Sequence, residues 1–256
     1  MMQRMSKLKQ ALQFHGIDAA NLDVLFGTGK GAVHGLRTDG ASAVEIWRRL
    51  RLAAGEIGYW PLILGREKDL EQHRESFAMM SEESGRGSVM DIIAAGSKVD
   101  VTEWLTERAA GELEPAPLDS DPWPEGDLAT HQFTLPSDGD RPAASKDVVI
   151  GLAPTVIGWQ IPAFLRFGGW NACPAPEHHV AMLKYWRHAY GAEIVCLGGS
   201  MLEVAVSRPP TDRNAALRLA REQYVYCPDV VRLSGNSLKG RAATLLGATA
   251  WSFWWE

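Results

Sequence analysis

The sequence predicts an α+β protein, with a mixed, largely antiparallel sheet in the C-terminal half and helices packed on it. Three observations support this fold class. Apolar residues recur at helical spacing in segments 43–54 and 176–190. Short apolar runs bounded by glycine or proline, at 193–197 and 201–206, are typical of strands. These two runs are joined by Gly198-Gly199-Ser200, which favours a hairpin of antiparallel strands.

The N-terminal part is predicted to contain a strand–helix–strand unit followed by a helical segment. Its helix, 43–54, places Trp47 and Leu50 on one apolar face, and Gly55 is the predicted C-cap. The flanking strands are predicted at 31–36 and 60–64. The other predicted helices of this part are 6–14, 68–80, 89–95 and 101–110.

The C-terminal part shows clearer start and stop signals. Pro176 and Glu177 suit the first turn of a helix that Gly191 ends. Segment 159–167 is predicted as a strand that Pro162 restricts to an edge or a bulge. The remaining predictions are a strand at 148–152, a helix at 212–226 capped by Thr211, a helix at 237–246 and a last strand at 251–255.

A change of composition separates the two parts. Residues 113–146 hold six of the fourteen prolines and a net charge of −5, without a steady hydrophobic period. The chain is therefore divided into an N-terminal α/β region (1–112), an acidic linker or long loop (113–146) and a C-terminal α+β domain (147–256). In each part a predicted helix, 43–54 or 176–190, is followed by a glycine and then by a strand. This shared order suggests two related halves on one mixed sheet.

Bulk properties restrict the class of protein. The 256 residues carry a formal charge of −5 and no basic cluster, which argues against a nucleic-acid partner. No apolar run is long enough to cross a membrane, and the basic N-terminus lacks the apolar stretch of a signal peptide. Three cysteines are a poor basis for a disulfide framework, so a reducing cytoplasm is expected. No motif indicates a cofactor.

Cys173 is the strongest candidate for chemistry. It lies just before the helix that begins near Pro176, where the helix N-terminus lowers a thiol pKa, and His178 lies on the first turn. A Cys/His pair can carry out nucleophilic catalysis. The alternative is a buried structural thiol beside a histidine that packs or caps. A metal site is not expected, because ligands paired at short spacing are missing.

Glu222 and Asp229 belong to a second polar cluster, which also contains Tyr224 and Tyr226. The cluster fits the polar floor of a pocket. It fits equally a hydrogen-bonded junction in which Glu222 accepts from a tryptophan indole N–H or a backbone N–H. The structural interpretation is favoured, because no second carboxylate at suitable spacing suggests an acid/base pair.

The ten tryptophans predict a core with large aromatic anchors. Trp251, Phe253 and Trp255 alternate and therefore share one face of the last strand, whereas Trp254 faces the other way. A core strand is the expected role, and an exposed aromatic patch is the alternative. Trp254 could also line an apolar pocket with Trp170 and Tyr224. Asn171, beside Trp170, is a further candidate binding residue.

Several short motifs resemble an uncharacterised bacterial family that is known only as a domain of unknown function (DUF4253-like). The motifs are Phe167-Gly168-Gly169-Trp170-Asn171, Cys173-Pro174, Glu177-His178, Tyr190-Gly191-Ala192-Glu193, Arg208-Pro209-Pro210, Glu222-Gln223-Tyr224, Cys227-Pro228-Asp229 and the ending Trp254-Trp255-Glu256. Residues 60–65 resemble the N-terminal region of that family. The resemblance covers about 159–256 and implies a bacterial cytoplasmic protein, without a reaction or ligand. Where the family has an acid before a strand, this chain has Gly198-Gly199-Ser200-Met201.

The function predicted first is a non-catalytic binding or protein-interaction domain, for example a neutralising or chaperone-like partner of another protein. This follows from many structural signals and no complete catalytic constellation. The second hypothesis is a hydrolase or transferase that uses Cys173 and His178, assisted by Asn171 and Glu222. The third is a small-molecule binder with an aromatic pocket. The oligomeric state is not predicted.

Overall fold

A computed structural model of the chain describes residues 2–80, 87–111, 122–135, 137–138, 141–142, 147–234 and 237–256. The predicted α+β class is confirmed, because these residues form a seven-stranded mixed sheet with helices packed against it. No helix in these ranges is both long and apolar enough to cross a membrane.

The elements have the following bounds. The strands are β1 (Asp23–Phe26), β2 (Val33–Thr38), β3 (Trp60–Arg66), β4 (Ser137–Asp138), β5 (Arg141–Pro142), β6 (Val148–Ala153), β7 (Glu193–Leu197), β8 (Met201–Ala205) and β9 (Ala250–Trp254). The helices are α1 (Met2–Phe14), α2 (Gly40–Ile57), α3 (Glu67–Met79), α4 (Val89–Lys98), α5 (Val101–Gly111), α6 (Ile161–Leu165), α7 (Pro176–Tyr190), α8 (Arg213–Tyr226) and α9 (Leu238–Leu245).

The main sheet has the order β1-β2-β6-β3-β7-β8-β9. Neighbouring strands are antiparallel except for β3 and β7, which run parallel with Ile63 opposite Cys196. Both strands of this parallel pair follow a helix and a left-handed glycine, Gly58 for β3 and Gly191 for β7. The largely antiparallel sheet is thus as predicted. The relation between two halves of the chain stays a prediction.

Strand β6 lies between β2 and β3, so strands from before and after the acidic segment share one sheet. The domain boundaries placed around 113–146 stay a prediction. Of that segment, 113–121, 136, 139–140 and 143–146 lie outside the described residues. Residues 122–135, here called the strap, run along the sheet. Thr249 N and Ala250 N both donate to Thr130 O, at 3.0 and 3.1 Å.

The predicted strand at 159–167 is wrong. A 3-10 turn at Gly158–Gln160 leads into the short helix α6, all five residues of which are buried. Burial on every side removes the alternation that separates a strand from a helix, so the apolar run alone was ambiguous. Pro162 does not interrupt a strand but lies in the first turn of α6, where a backbone N–H would have no partner within the helix.

Two predicted helix caps are also corrected. Helix α2 continues through Gly55 and ends at Gly58, whose φ of 74° is left-handed. Helix α8 is capped by Asp212, which accepts from Ala215 N at 2.9 Å, and not by Thr211. Helix α7 has the predicted bounds, and Gly191 ends it with a φ of 65°.

The two faces of the sheet support two hydrophobic cores. Along β3, Leu62 and Leu64 enter one core and Ile63 the other, as the alternation of a strand requires. The larger core lies under α6 to α9 and contains the predicted aromatic row, Trp251, Phe253 and Trp255, all fully buried. The ring of Trp186 stacks on Phe253 with centroids 5.1 Å apart. The aromatic row is therefore a core face and not an exposed patch.

Candidate functional site

A tight turn places Cys173 immediately before α7. Gly168 and Asn171 adopt left-handed backbone conformations, with φ of 105° and 45°. Gly169 N donates to Pro174 O at 2.8 Å, and Cys173 N donates to Trp170 O at 2.8 Å. These bonds fold the turn back on itself, so that the thiol points toward the interior, where only 4% of the residue is exposed.

The histidine that contacts Cys173 is His179, not the predicted His178. Nε2 of His179 lies 3.4 Å from Cys173 Sγ. The ring of His178 stacks instead on Trp104, with centroids 4.8 Å apart. Successive residues on a helix point about 100° apart, so only one of two adjacent histidines can face the buried turn. The predicted Cys173–His178 pair is thus not formed, and its place is taken by a buried Cys173–His179 contact.

His179 continues the contact to Tyr226, whose hydroxyl lies 2.5 Å from Nδ1. The ring of His179 therefore links the Cys173 thiol to the Tyr226 hydroxyl, with one ring nitrogen toward each. Burial lowers the pKa of His179 to about 3, which keeps the ring neutral.

The environment of Cys173 disfavours a thiolate. Burial raises the pKa of Cys173 well above its ordinary value, and nearby Cys227 adds to this, while Arg108 only partly opposes it. Burial raises the pKa of Cys227 to about 12. The thiolate is the nucleophilic form of cysteine, so burial removes the reactivity that a helix N-terminus alone would favour.

We expect the three cysteines to resist alkylation in the native protein. All three are buried and free, and burial raises the pKa of each. Labelling with iodoacetamide at pH 8 should be at least about a thousandfold slower than in the chain unfolded by guanidinium, because little thiolate forms. Mass spectrometry after tryptic digestion measures each site. Rapid native labelling at Cys173 that Cys173→Ser abolishes would contradict this interpretation.

Glu222 takes part in a structural junction, as favoured from the sequence. Its carboxylate accepts from Tyr185 Oη at 3.1 Å and from Trp186 Nε1 at 3.4 Å, both on α7. Burial raises the pKa of Glu222, and the two hydrogen bonds oppose the shift. The carboxylate thus ties α8 to α7, and its hydrogen bonds do not go to Cys173 or His178.

The predicted binding residues do not form a single site. Asn171 Nδ2 donates to Glu256 O at 2.9 Å, and Asp229 Oδ2 accepts from Glu256 N at 3.3 Å. These two side chains therefore hold the backbone of one residue. Trp170 packs edge-on against Phe167, and Tyr224 is buried in the larger core. Of the three rings predicted to line a pocket, Trp170, Tyr224 and Trp254, only Trp254 lines an open cleft.

An open cleft of about 510 Å³ lies at the carboxyl ends of β3 and β7. Its lining comes from the end of β3, from α3, the strap, the β7–β8 turn, the start of β8 and β9: Arg66, Asp69, Gln72, Thr134, Leu135, Gly198, Gly199, Ser200, Met201 and Trp254. In open α/β sheets, ligands bind in the crevice beyond the carboxyl ends of the parallel strands. Here the pair β3–β7 supplies that geometry within a mostly antiparallel sheet.

Glu203 fixes one wall of the cleft. Its fully buried carboxylate accepts from Thr134 N at 2.9 Å, from Leu135 N at 3.1 Å and from Ser252 Oγ at 3.0 Å. Thr134 Oγ1 donates to it as well, at 2.8 Å. A buried carboxylate needs such donors, because desolvation without them costs several kcal/mol. The network anchors the strap to β8, so that Leu135 lies against Gly198 in the β7–β8 turn.

Sequence reasoning missed the cleft because its parts are far apart in the chain. One local signal was available, namely that Glu203 is an acid within the apolar run 201–206. A carboxylate on a covered face of a sheet is buried, so it needs hydrogen-bond donors nearby. Asp69 and Gln72, three residues apart on α3, show no such signal. Among the described residues, no three His, Cys, Asp or Glu side chains converge as metal ligands would.

Comparison with known proteins finds one similarity, and it lies in the C-terminal region. Residues 149–256 match the family model described as Domain of unknown function (DUF4253), which confirms the resemblance expected for this half. The match contains Cys173, Glu203 and Trp254, while the α3 wall of the cleft precedes it. The resemblance at 60–65 lies outside the matched residues and stays a prediction. Neither the curated proteins nor the solved structures contain a significant match to the chain.

Proposed function

We propose that this chain is a non-catalytic binding protein whose ligand occupies the cleft at the carboxyl ends of β3 and β7. The observation that carries the proposal is the cleft itself, about 510 Å³ in volume and lined by both polar side chains and an aromatic ring. Binding sites for small molecules typically combine such a volume with a few convergent polar groups. This is the small-molecule form of the binding hypothesis, with Trp254 as the one predicted ring that takes part.

The contacts around the cleft indicate that its walls are already formed before a ligand binds. The β7–β8 turn is enclosed between two walls, since a Cβ at Gly199 would lie 2.1 Å from Gln72 Oε1 and one at Gly198 would lie 3.0 Å from Leu135 Cδ1. Ser200 O accepts from Trp255 N at 3.0 Å, which ties the turn to β9. Binding then requires little ordering of the protein, which favours affinity.

The hydrolase or transferase alternative has less support. It needs a reactive thiolate, whereas Cys173 is buried and burial raises its pKa. A protein partner is also less well supported. The described large apolar side chains that are more than half exposed are Phe14, Leu52, Met79 and Met90, on four different helices. Single exposed apolar residues are normal on a protein surface.

We also propose that the protein works in the reducing cytoplasm of a bacterium. The three free, buried thiols support this assignment, since none is paired in the structure. The bacterial origin rests on the family resemblance.

The proposed site is tested by thermal-shift screening of a library of polar aromatic metabolites against three proteins. A ligand that binds only the folded state raises the unfolding temperature. The variant Ser200→Trp should fill the cleft and abolish the shift caused by ligands that stabilise the wild type. Ser6→Trp, at an exposed position of α1, is the matched control and should keep the shift. A library that stabilises none of the proteins, or all three equally, would contradict the cleft as the binding site.

A further inference from the structure

We infer that the ligand of the cleft is a purine nucleoside, an inference that rests on the proposed binding function. Three groups carry it: the ring of Trp254, the amide of Gln72 and the carboxylate of Asp69. Each lines the cleft, and each matches a different part of a nucleoside. The aromatic ring can stack on the base, the amide can pair with the edge of the base, and the carboxylate can accept from the hydroxyls of the sugar.

Trp254 supplies the stacking surface. Its neighbours Phe253 and Trp255 are buried in the core, but Trp254 is only half-buried and lines the cleft. Its backbone is held firmly, because Trp254 O accepts from Cys227 Sγ at 3.0 Å and the strand pairs with β8. Nucleobases stack on such rings because every base has an aromatic face. A double-ring purine covers the indole better than a single-ring pyrimidine does.

Gln72 supplies the edge recognition. Its side chain is exposed on α3 and makes no hydrogen bond to any residue that the structure describes. The amide oxygen lies beside Gly199 of the β7–β8 turn, and the residue lines the cleft. A carboxamide presents a donor and an acceptor side by side, the pattern that pairs with N6 and N7 of adenine. This favours adenosine among the purine nucleosides.

Asp69 supplies the contact to the sugar. It lies three residues before Gln72, so the two side chains share one face of α3. Oδ2 accepts from Arg66 N at 2.7 Å, and the carboxylate has capacity for further donors. In dinucleotide-binding α/β folds, a carboxylate beyond the carboxyl end of a strand binds a ribose hydroxyl, and Asp69 offers the same chemistry. Ser200, a half-buried hydroxyl on the opposite side, adds a second polar contact.

The charge of the lining fits a neutral ligand. Arg66 Nε lies 3.6 Å from Asp69 Oδ2, so the two charged side chains that line the cleft offset one another. A nucleoside adds no charge to this arrangement. It also presents both a flat ring and a pair of hydroxyls, which neither a simple sugar nor an amino acid does.

The inference is tested by ligand-observed NMR with adenosine, cytidine, cellobiose and arginine, each with the full-length protein. Adenosine should bind at least about fivefold more tightly than cytidine, the smaller stacking partner. Trp254→Ala should weaken adenosine binding about tenfold, and Trp254→Phe should restore most of it. Gln72→Ala should weaken it about tenfold by removing the paired donor and acceptor. Glu71→Ala, an exposed neighbour on the same helix, is the control and should bind as the wild type does.

The outcomes separate the two proposals. Adenosine binding that neither Trp254→Ala nor Gln72→Ala weakens would overturn the inference. Binding of cellobiose or arginine, without binding of adenosine, would also overturn the nucleoside inference. If Ser200→Trp abolished that binding, the cleft would still be the binding site, and the proposed function would stand. Gln72 lies on the surface, so Gln72→Ala tests the inference even if Trp254→Ala unfolds.

Discussion

Gly168→Ala is expected to lower the free energy of unfolding by about 3–5 kcal/mol. Gly168 has a φ of 105°, a conformation that other residues rarely adopt. A Cβ there would lie 2.0 Å from Pro174 O and 2.6 Å from His179 Nε2. Neither atom can move easily, because Pro174 O accepts from Gly169 N and the His179 ring is fully buried. Urea unfolding, followed by tryptophan fluorescence, measures the loss.

The matched control is Gly58→Ala at the end of α2. Gly58 is also left-handed, with a φ of 74°, but no heavy atom lies within 4 Å of an added Cβ. The expected loss is therefore only about 1 kcal/mol, the backbone contribution alone. Equal losses in the two variants would show that backbone conformation, and not the close packing of the turn on His179, makes Gly168 necessary.

Acid is expected to destabilise the protein steeply below pH 6.5. Burial lowers the pKa of His73 to about 4 and that of His179 to about 3. An unfolded histidine titrates near 6.5, so between about pH 6.5 and 4 the unfolded chain binds up to two protons that the folded chain does not. The stability contributed by these neutral rings is complete above pH 6.5. As the pH falls below 6.5, the free energy of unfolding decreases with a slope that approaches ~2.7 kcal/mol per pH unit, the value for two protons.

His73→Gln isolates one of the two histidines. His73 Nε2 donates to Leu197 O at 2.7 Å, and the amide of glutamine can replace that donor without titrating. The slope of unfolding free energy against pH between 6.5 and 5 should fall by up to about 1.4 kcal/mol per pH unit, the contribution of one histidine. Burial raises the pKa of Glu222, so this residue changes the slope in the opposite direction. Its effect is the same in the wild type and in His73→Gln and therefore cancels in the comparison. An unchanged slope in His73→Gln would contradict the burial of a neutral ring.

Local signals predicted the fold well where they were complete. Helix α7 has the predicted bounds because Pro176, Glu177 and Gly191 each fix one end of it by chemistry that needs no tertiary partner. The hairpin of β7 and β8 follows in the same way from its glycine turn. The segment 159–167 failed because burial on all sides erases the period on which a strand prediction depends.

The candidate site was less predictable, for a physical reason. The choice between His178 and His179 depends on which face of α7 is buried, and that face is set by contacts with Tyr226, 47 residues later. The cleft depends on the parallel pairing of β3 with β7, which brings α3 to the β7–β8 turn. No short motif records a contact of this kind. Trp254 was identified because its position in an alternating strand is itself a local signal.

The most direct test of a cleft site is a map of amide chemical-shift changes when adenosine, or the strongest ligand from the metabolite library, is added to the labelled protein. We expect the largest changes at Gly198 to Met201, at Gln72 and at the backbone and indole N–H of Trp254. The amides of the turn at Gly168 to Cys173 should stay nearly unchanged. Changes centred on Cys173, His178 and Trp104, with the cleft unaffected, would contradict a binding site between β3 and β7.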